Sequence, residues 1–254
     1  MLAKERRTYL TDEIARNGRV ITSEMSAKLG VSEVTIRADL DELERQGRVR
    51  RTHGGATAPD LSSAVVAFDT RMSMYREEKR RIALEAAKYV LSNQTVIFDA
   101  GTTVQALAQA MPEVSGLRVF TPGLTLAHQL LTVEGVETYL MGGRIDPDWG
   151  ETTGSPSEQG IEDVIAHTLF LGAMGVDSSL DIVDNSTSLA TNKLQFARRA
   201  RTIVLLMDSS KWECHGAAKV MPLSRIDVVI TDSGIPDTVR QQITDKTDVD
   251  LIVV

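Results

Sequence analysis

The sequence predicts two domains of different class: a small helical domain with helix-turn-helix spacing and a basic β-hairpin, then a larger α/β domain on a mostly parallel sheet. Three observations carry this expectation. The chain has 254 residues, too long for one small domain and suited to two at the usual ~100–200 residues each. Its charge is uneven: residues 1–55 hold 11 Lys and Arg against 9 Asp and Glu, whereas residues 56–254 hold 17 against 26. From residue 95 onward, apolar runs bounded by turns alternate with stretches of helical period, the pattern of parallel strands joined by covering helices.

Composition excludes other classes. At 42% hydrophobic and 25% charged, the chain has ordinary globular content and is not wholly disordered. No apolar run exceeds five residues, whereas a membrane-spanning helix needs about twenty. The start, Met1-Leu-Ala-Lys-Glu-Arg-Arg7, is charged where a secretory leader would be apolar. Cys214 is the single cysteine, so no internal disulfide forms, as expected of a reducing cytosol. A cytoplasmic protein without membrane attachment is expected. Its domains are expected at 1–57 and 75–254, with a linker over 58–74.

The first helix is expected from Lys4 to Arg16, apolar at Leu10 and Ile14 and stopped by Asn17-Gly18, since glycine readily takes the left-handed turn that ends a helix. A short helix from about Ser23 to Leu29 buries Met25 and Leu29, and Gly30-Val31 turns the chain. Ser32 is placed to cap a helix running to about Gln46, which Gly47 stops; its hydroxyl can accept from an unpaired first-turn N–H. Ile36, Leu40 and Leu43 follow the helical period and form its buried stripe. Glu33, Thr35, Arg37 and Ala38 then face outward, leaving the helix free to enter a major groove. Arg48, Arg50, Arg51 and His53 beside Gly54-Gly55 suit a hairpin lying along phosphates, which supply sequence-blind affinity while Thr35 and Arg37 read base edges.

The strings Arg6-x-x-x-Leu10, Val31-Ser32-Glu33-Val34-Thr35-Ile36-Arg37-Ala38-Asp39-Leu40-x-x-Leu43 and Arg51-x-His53-Gly54-Gly55-Ala56 resemble the DeoR family of bacterial transcriptional regulators. The resemblance implies a winged helix-turn-helix in which Ser32, Thr35, Arg37, Arg48, Arg50, Arg51 and His53 meet double-stranded operator DNA. Asp39, an acid within that motif, is expected to pair with a nearby arginine.

In the second domain a helix is expected from about Tyr75 to Leu91, with Ile82, Ala83, Ala86, Ala87 and Val90 along one face. Strands are expected at Thr95–Phe98, Leu117–Phe120, Val136–Met141, Leu169–Ala173, Thr202–Met207, Val228–Thr231 and Leu251–Val254. The helices between them are expected at about Thr103–Ala110, Leu124–Thr132, Pro156–His167 and Ser188–Arg199. Sheets of this kind bind ligands at the carboxyl ends of their strands. Several strands there end in small or polar residues: Asp99-Ala-Gly101-Thr102-Thr103, Thr121-Pro-Gly123, Gly142-Gly143, Gly172-Ala-Met-Gly175 and Asp208-Ser-Ser-Lys211. Together they suggest one shared cleft, in which Gly101 allows close backbone approach and the following helix start offers N–H groups to an anion.

The resemblance extends here through Arg71, Glu78-Lys79, Ile82-Ala83 and the strand ends just named. It implies a sensor domain similar in fold to sugar-phosphate isomerases, with a phosphorylated sugar as effector. On that basis Asp99, Gly101, Thr102, Thr103, Thr121, Gly142, Gly143, Gly172, Lys193, Asp208 and Lys211 are the effector-site candidates. One departure stands out: where family members commonly carry glutamate four residues before the lysine, this chain has Leu189 before Lys193. The usual Glu–Lys arrangement is therefore lost, and Asp181, Asp184 or Asn185 either contact other hydroxyls or form a solvated loop.

His128 and His167 are expected within helices, and Cys214-His215 lacks the further ligands a zinc site needs. No metal and no cofactor are expected; no P-loop, HExxH or Gly-x-Ser-x-Gly string occurs. The expected function is a DNA-binding repressor of a carbohydrate-utilisation operon, acting as a dimer or tetramer and relieved by a phosphorylated sugar. The alternative is an isomerase-like enzyme with a DNA-binding appendage, for which Asp99, Asp208 and Lys211 offer acid and base types.

Overall fold

The computed structural model describes residues 2–46, 48–57 and 68–254, and the chain divides after Arg76 into two compact units. Residues 58–67 of the expected linker, and the expected stop at Gly47, lie outside the described residues.

The first unit contains α1 (Ala3–Asn17), β1 (Arg19–Ile21), α2 (Thr22–Leu29), α3 (Glu33–Arg45), β2 (Arg50–Thr52), β3 (Gly55–Thr57) and α4 (Phe68–Ser73). The last is a short helix inside the stretch expected to be linker. Glycines 18 and 30 end α1 and α2 in left-handed conformation, and the Ser32 hydroxyl accepts from the Thr35 N–H at the start of α3. Leu10, Ile14, Val20, Met25, Ile36, Leu40, Leu43 and Val49 form the core. The three strands make an antiparallel sheet in the order β1-β3-β2. Gly55 lies in its centre, where an added Cβ would come within 1.8 Å of the Val20 carbonyl oxygen. Only glycine fits.

Asp39 is buried on α3 and accepts from Arg6 Nε, with Arg7 Nε at 4.0 Å. A buried guanidinium deprived of its carboxylate is strongly unfavourable, so Asp39→Ala is expected to cost this unit about 3–5 kcal/mol. A denaturation midpoint equal to that of the wild type would show the pair to be dispensable.

The second unit begins within the first turn of α5 (Arg76–Ala86), which a 3-10 turn over Ala87–Tyr89 extends. There follow β4 (Thr95–Phe98), α6 (Thr102–Gln109), β5 (Leu117–Thr121), α7 (Leu124–Leu130), β6 (Val136–Leu140), β7 (Arg144–Asp146), β8 (Glu151–Thr153) and α8 (Ser155–Gln159). The chain continues through β9 (Ala166–Gly172), β10 (Gly175–Val176), β11 (Asp181–Asp184), α9 (Thr187–Arg199), β12 (Ala200–Leu206), β13 (Ala218–Pro222), β14 (Val228–Thr231), α10 (Asp237–Lys246) and β15 (Asp250–Val253).

Seven strands form a sheet in the order β15-β14-β12-β9-β4-β5-β6, every neighbouring pair parallel. Alternate residues of each strand point to opposite faces. Thus Val96, Phe98, Phe170 and Leu206 pack with Ile82, Val104, Leu107 and Leu126 of α5, α6 and α7, while Ile97, Leu169, Leu171 and Leu205 pack with Phe196, Val239 and Ile243 of α9 and α10. Because both faces are covered, the strands read as the near-continuous apolar runs seen in the sequence.

Two features correct the sequence expectation. The helix expected over Pro156–His167 is only the five-residue α8; Gly160 follows it, turns occupy residues 160–163, and β9 begins at Ala166. His167 is therefore a strand residue whose Nδ1 accepts from the Thr95 N–H at 3.2 Å. The stretch after Gly175, weighed as a possible solvated loop, instead supplies β10 and β11, which join β13 in an antiparallel sheet.

Candidate functional site

In the large sheet β4 is flanked by β5, which follows it, and by β9, to which the chain returns after β6. This reversal makes the carboxyl ends of β4 and β9 a topological switch point, where sheets of this kind have their ligand crevice. There Gly101 and Gly172 approach closely: an added Cβ on Gly172 would lie 3.3 Å from both the Gly101 Cα and Asp99 Oδ2.

Asp99, immediately after β4 and 1% exposed, accepts at Oδ2 from the Gly172 N–H at 3.0 Å and from Lys193 Nζ. Lys193, buried on α9, also donates to the Gly172 carbonyl at 3.0 Å and lies 3.7 Å from Asp184 Oδ2. Asp184, on β11, accepts at Oδ1 from the Asn185 N–H at 2.8 Å. Burial alone would push the Lys193 ammonium toward deprotonation, but Asp99, Asp184 and Glu151 outweigh it and hold the proton more firmly than usual. Burial raises the Asp184 carboxyl, and Lys193 only partly opposes the shift.

The neighbouring Thr102 and Thr103 open α6 and are buried; the Thr103 hydroxyl has no hydrogen-bond partner. Thr121 at the end of β5 is buried, its hydroxyl accepting from the Gly123 N–H at 3.1 Å. Gly142 and Gly143 are exposed beyond edge strand β6. Gly143 has a φ of +130°, and a Cβ there would meet the Thr153 carbonyl at 2.5 Å, so hairpin closure by itself requires it. Asp208 caps a 3-10 turn by accepting from the Ser210 N–H at 3.2 Å, and Lys211 Nζ donates to the Ala173 carbonyl at 2.6 Å. The fold thus gathers Asp99, Gly101, Gly172 and Lys193 in direct contact. Thr121, Gly142, Gly143, Asp208 and Lys211 stand at the ends of other strands of the same sheet.

Sequence reasoning missed Glu151. The hairpin β7–β8 carries it to the crevice, anchored by Thr152, which donates from N–H to the Pro122 carbonyl at 2.9 Å and from its hydroxyl to the Met141 carbonyl at 2.8 Å. Glu151 is 4% exposed. Burial, together with repulsion from Asp99 and Asp184 that Lys193 only partly offsets, pushes its carboxyl up to about 8. Leu189 is buried, and carboxylates from β8 and β11 face Lys193 from elsewhere in the chain. A lone glutamate after Asp-Trp-Gly carries no sequence signal for such a position.

In the first unit, Ser32 Oγ and Thr35 Oγ1 lie 2.9 Å apart at the start of α3. Arg37 is exposed and pairs with Glu33 at 2.7 Å. Val34, not singled out by sequence, is 71% exposed on the same turn. Arg50 and His53 are exposed and Arg48 is half-buried. Arg51 is half-buried and turned inward: its Nε donates to Asp41 at 2.9 Å and its Nη1 to the Gly55 carbonyl.

Among the described residues no group of His, Cys, Asp and Glu is arranged to hold a metal ion, and no helix is long and apolar enough to cross a membrane. Residues 6–61 match the DeoR-like helix-turn-helix domain and residues 75–233 the DeoR C terminal sensor domain. The glycerol-3-phosphate regulon repressor of Escherichia coli K12 is 31% identical over 96% of this chain and 97% of its own. The HTH-type transcriptional repressor GlcR of Bacillus subtilis is 29% identical over 100% and 97%. Among solved structures, ribose 5 phosphate isomerase A from Neisseria gonorrhoeae is similar at a TM-score of 0.40 and 15% identity, over 54% of this chain and 53% of that one. A recognition-type helix with its basic hairpin, followed by a sensor domain matched along most of its length, makes this chain a member of the DeoR family of transcriptional regulators.

Proposed function

We propose that this protein is a cytoplasmic repressor of a carbohydrate-utilisation operon, released from its operator when a phosphorylated sugar occupies the crevice between β4 and β9. The observation that carries the reading is the buried charge cluster of Asp99, Asp184 and Lys193 at the topological switch point, in a chain whose α3 presents Val34 and Arg37 to solvent. The named functions of its relatives, repression of a glycerol-3-phosphate regulon among them, support it.

In the DNA-reading half, Thr35 and Arg37 meet base edges, and exposed Val34 suits the methyl group of thymine. Arg48, Arg50 and His53 follow the phosphates, while Ser32 and Arg51 hold α3 and the hairpin in shape. In the sensor half, the N–H groups at the start of α6, with Gly101, Thr102 and Thr103, receive the phosphate, and Lys211 adds positive charge. Asp99 and Lys193 face the sugar. Thr121, Gly142, Gly143, Gly172 and Asp208 shape the rim.

The effector acts by binding the arrangement unable to hold DNA more tightly than the competent one, since equal affinity for both would shift nothing. Two copies of α3 in a homo-oligomer, dimer or tetramer, would meet two half-sites. No cofactor is needed. The crevice serves as a sensor rather than a catalyst, a reading supported by the repressor names of the chain's relatives; in it Asp99 accepts from Lys193 and from the Gly172 N–H.

The test uses a DNA fragment selected by the wild-type chain from its source genome. Arg37→Ala is expected to weaken its binding by about 1–3 kcal/mol while thermal stabilisation by sugar phosphates persists. Full operator affinity in the variant would remove Arg37 from the interface. Turnover of ribose 5-phosphate by the purified protein would overturn the sensor reading.

A further inference from the structure

Lys193 is the cation among three carboxyl groups, and two of its N–H bonds go to Asp99 and the Gly172 carbonyl. Glu151 is almost wholly buried beside this cluster. A buried polar group without a partner costs free energy unless something else satisfies it. Asn192, beside Lys193, leaves such a gap: its Nδ2 donates to the Thr152 carbonyl next to Glu151, and its buried Oδ1 has no donor among the described residues. Thr103 presents a second, its buried hydroxyl without a partner among the described residues at the start of α6.

Phosphate suits such a place poorly, because its charge would add to the repulsion that Asp99 and Asp184 already exert there. Hydroxyl groups suit it, since each donates one hydrogen bond. From this geometry we infer that Glu151 is a specificity-determining residue of the effector site, accepting hydrogen bonds from sugar hydroxyls remote from the effector's phosphate. The inference rests on the sugar-phosphate reading above and deepens it: the two ends of the ligand are told apart by chemistry, phosphate at the α6 end and hydroxyls at β8. Glu151 also takes the place left open by Leu189, from a different element and with a different reach.

A hydroxyl donating to a carboxylate favours its charged form. Unliganded Glu151 holds its proton up to about pH 8, so binding releases that proton. The groups facing it are Asp99 after β4, Asp146 on β7, Asp184 on β11 and Lys193 on α9. Lys211 in turn acts on Asp184. Affinity for a sugar phosphate is therefore expected to rise by up to about tenfold between pH 7 and pH 9 and then level off. The ligand's phosphate, whose second ionisation lies near pH 6, is already about nine-tenths doubly charged at pH 7 and adds little to that rise.

The experiment titrates the full chain, wild type and Glu151→Gln, with inorganic phosphate, glycerol 3-phosphate, ribose 5-phosphate and glucose 6-phosphate at pH 7 and pH 9. The expected result is one sugar phosphate bound at least tenfold more weakly by Glu151→Gln, with the pH dependence gone and the response to inorganic phosphate unchanged. An identical dissociation constant and pH profile in wild type and variant would overturn the role of Glu151 and leave the sugar-phosphate reading standing. Failure of every sugar phosphate to bind the wild type would instead overturn that reading, and this inference with it. Should Glu151→Gln not fold, the wild-type profile decides alone: a flat response from pH 7 to pH 9 removes Glu151 from the site.

Discussion

Lys193→Met is expected to be the most damaging single substitution in the sensor unit, lowering its stability at pH 8 by about 3–5 kcal/mol. Lys193 is the buried cation facing Asp99, Asp184 and Glu151. Methionine keeps the length and packing of the stem but leaves buried carboxylates without a counter-charge, and such groups take up protons rather than remain ionised. The loss is therefore expected to depend on pH with a definite sign. Removing the ammonium raises the folded-state carboxyls of Asp184 and Glu151 further above their unfolded values near 4, so the folded variant binds protons that the unfolded chain has shed. Its stability then falls as pH rises from about 4 toward the raised values, at roughly 1.4 kcal/mol per pH unit for each proton so held. At pH 5 the variant should approach the wild type. Adding Asp99→Asn should recover part of the loss at pH 8, because replacing both members of a buried pair is far milder than removing one. Urea denaturation of the two variants at both pH values measures this; a loss of equal size at pH 5 and pH 8 would show packing, not charge, to be at stake.

The second large effect is expected in the other unit. Gly55→Ala should abolish binding to the selected operator fragment while sugar phosphates still stabilise the sensor. The new methyl would lie 1.8 Å from the Val20 carbonyl oxygen, 2.8 Å from its carbon and 3.1 Å from the Ile21 Cα. All three are backbone atoms of β1, which cannot swing aside as a side chain can, so β1 and β3 must separate. Val20 and Ala56, paired across that ladder, both belong to the core. Separation therefore disturbs the core as well as the wing, and frees Arg51, now tied to the Gly55 carbonyl. Gel retardation and a ligand-dependent melting curve on the same preparation test the two halves together. Retained operator affinity would show that the hairpin can rearrange without consequence.

The large sheet was legible because its strands are covered on both faces. Thr95–Phe98 and Val228–Thr231 coincide with expectation to the residue, since unbroken apolar runs leave little choice. Where a strand begins with polar residues the sequence misleads. Ala166-His167 reads as the tail of a helix, and only pairing with β4 and β12 makes Ala166-His167-Thr168 strand. The hairpin β7–β8 was hidden for a related reason: Arg144-Ile-Asp146 and Glu151-Thr-Thr153 are three residues each and mixed in polarity. The crevice was half legible. Strand-end glycines and Asp99 announce themselves locally, but burial of Glu151 and Asp184 beside Lys193 arises from elements far apart in the chain, and no short window contains it.

The order of the strands has a consequence for synthesis. The three-stranded sheet of the first unit closes within residues 19–57, whereas the large sheet needs Val96 to meet Thr168 and Val228 to meet Asp250. At the usual ~5–20 residues per second, the ribosome takes roughly 10–40 s to cover the intervening stretch. A nascent chain thus completes the half proposed to grip DNA well before the half proposed to let go. Truncated products ending inside the second unit would, on the proposed function, keep the address and lose the off-switch.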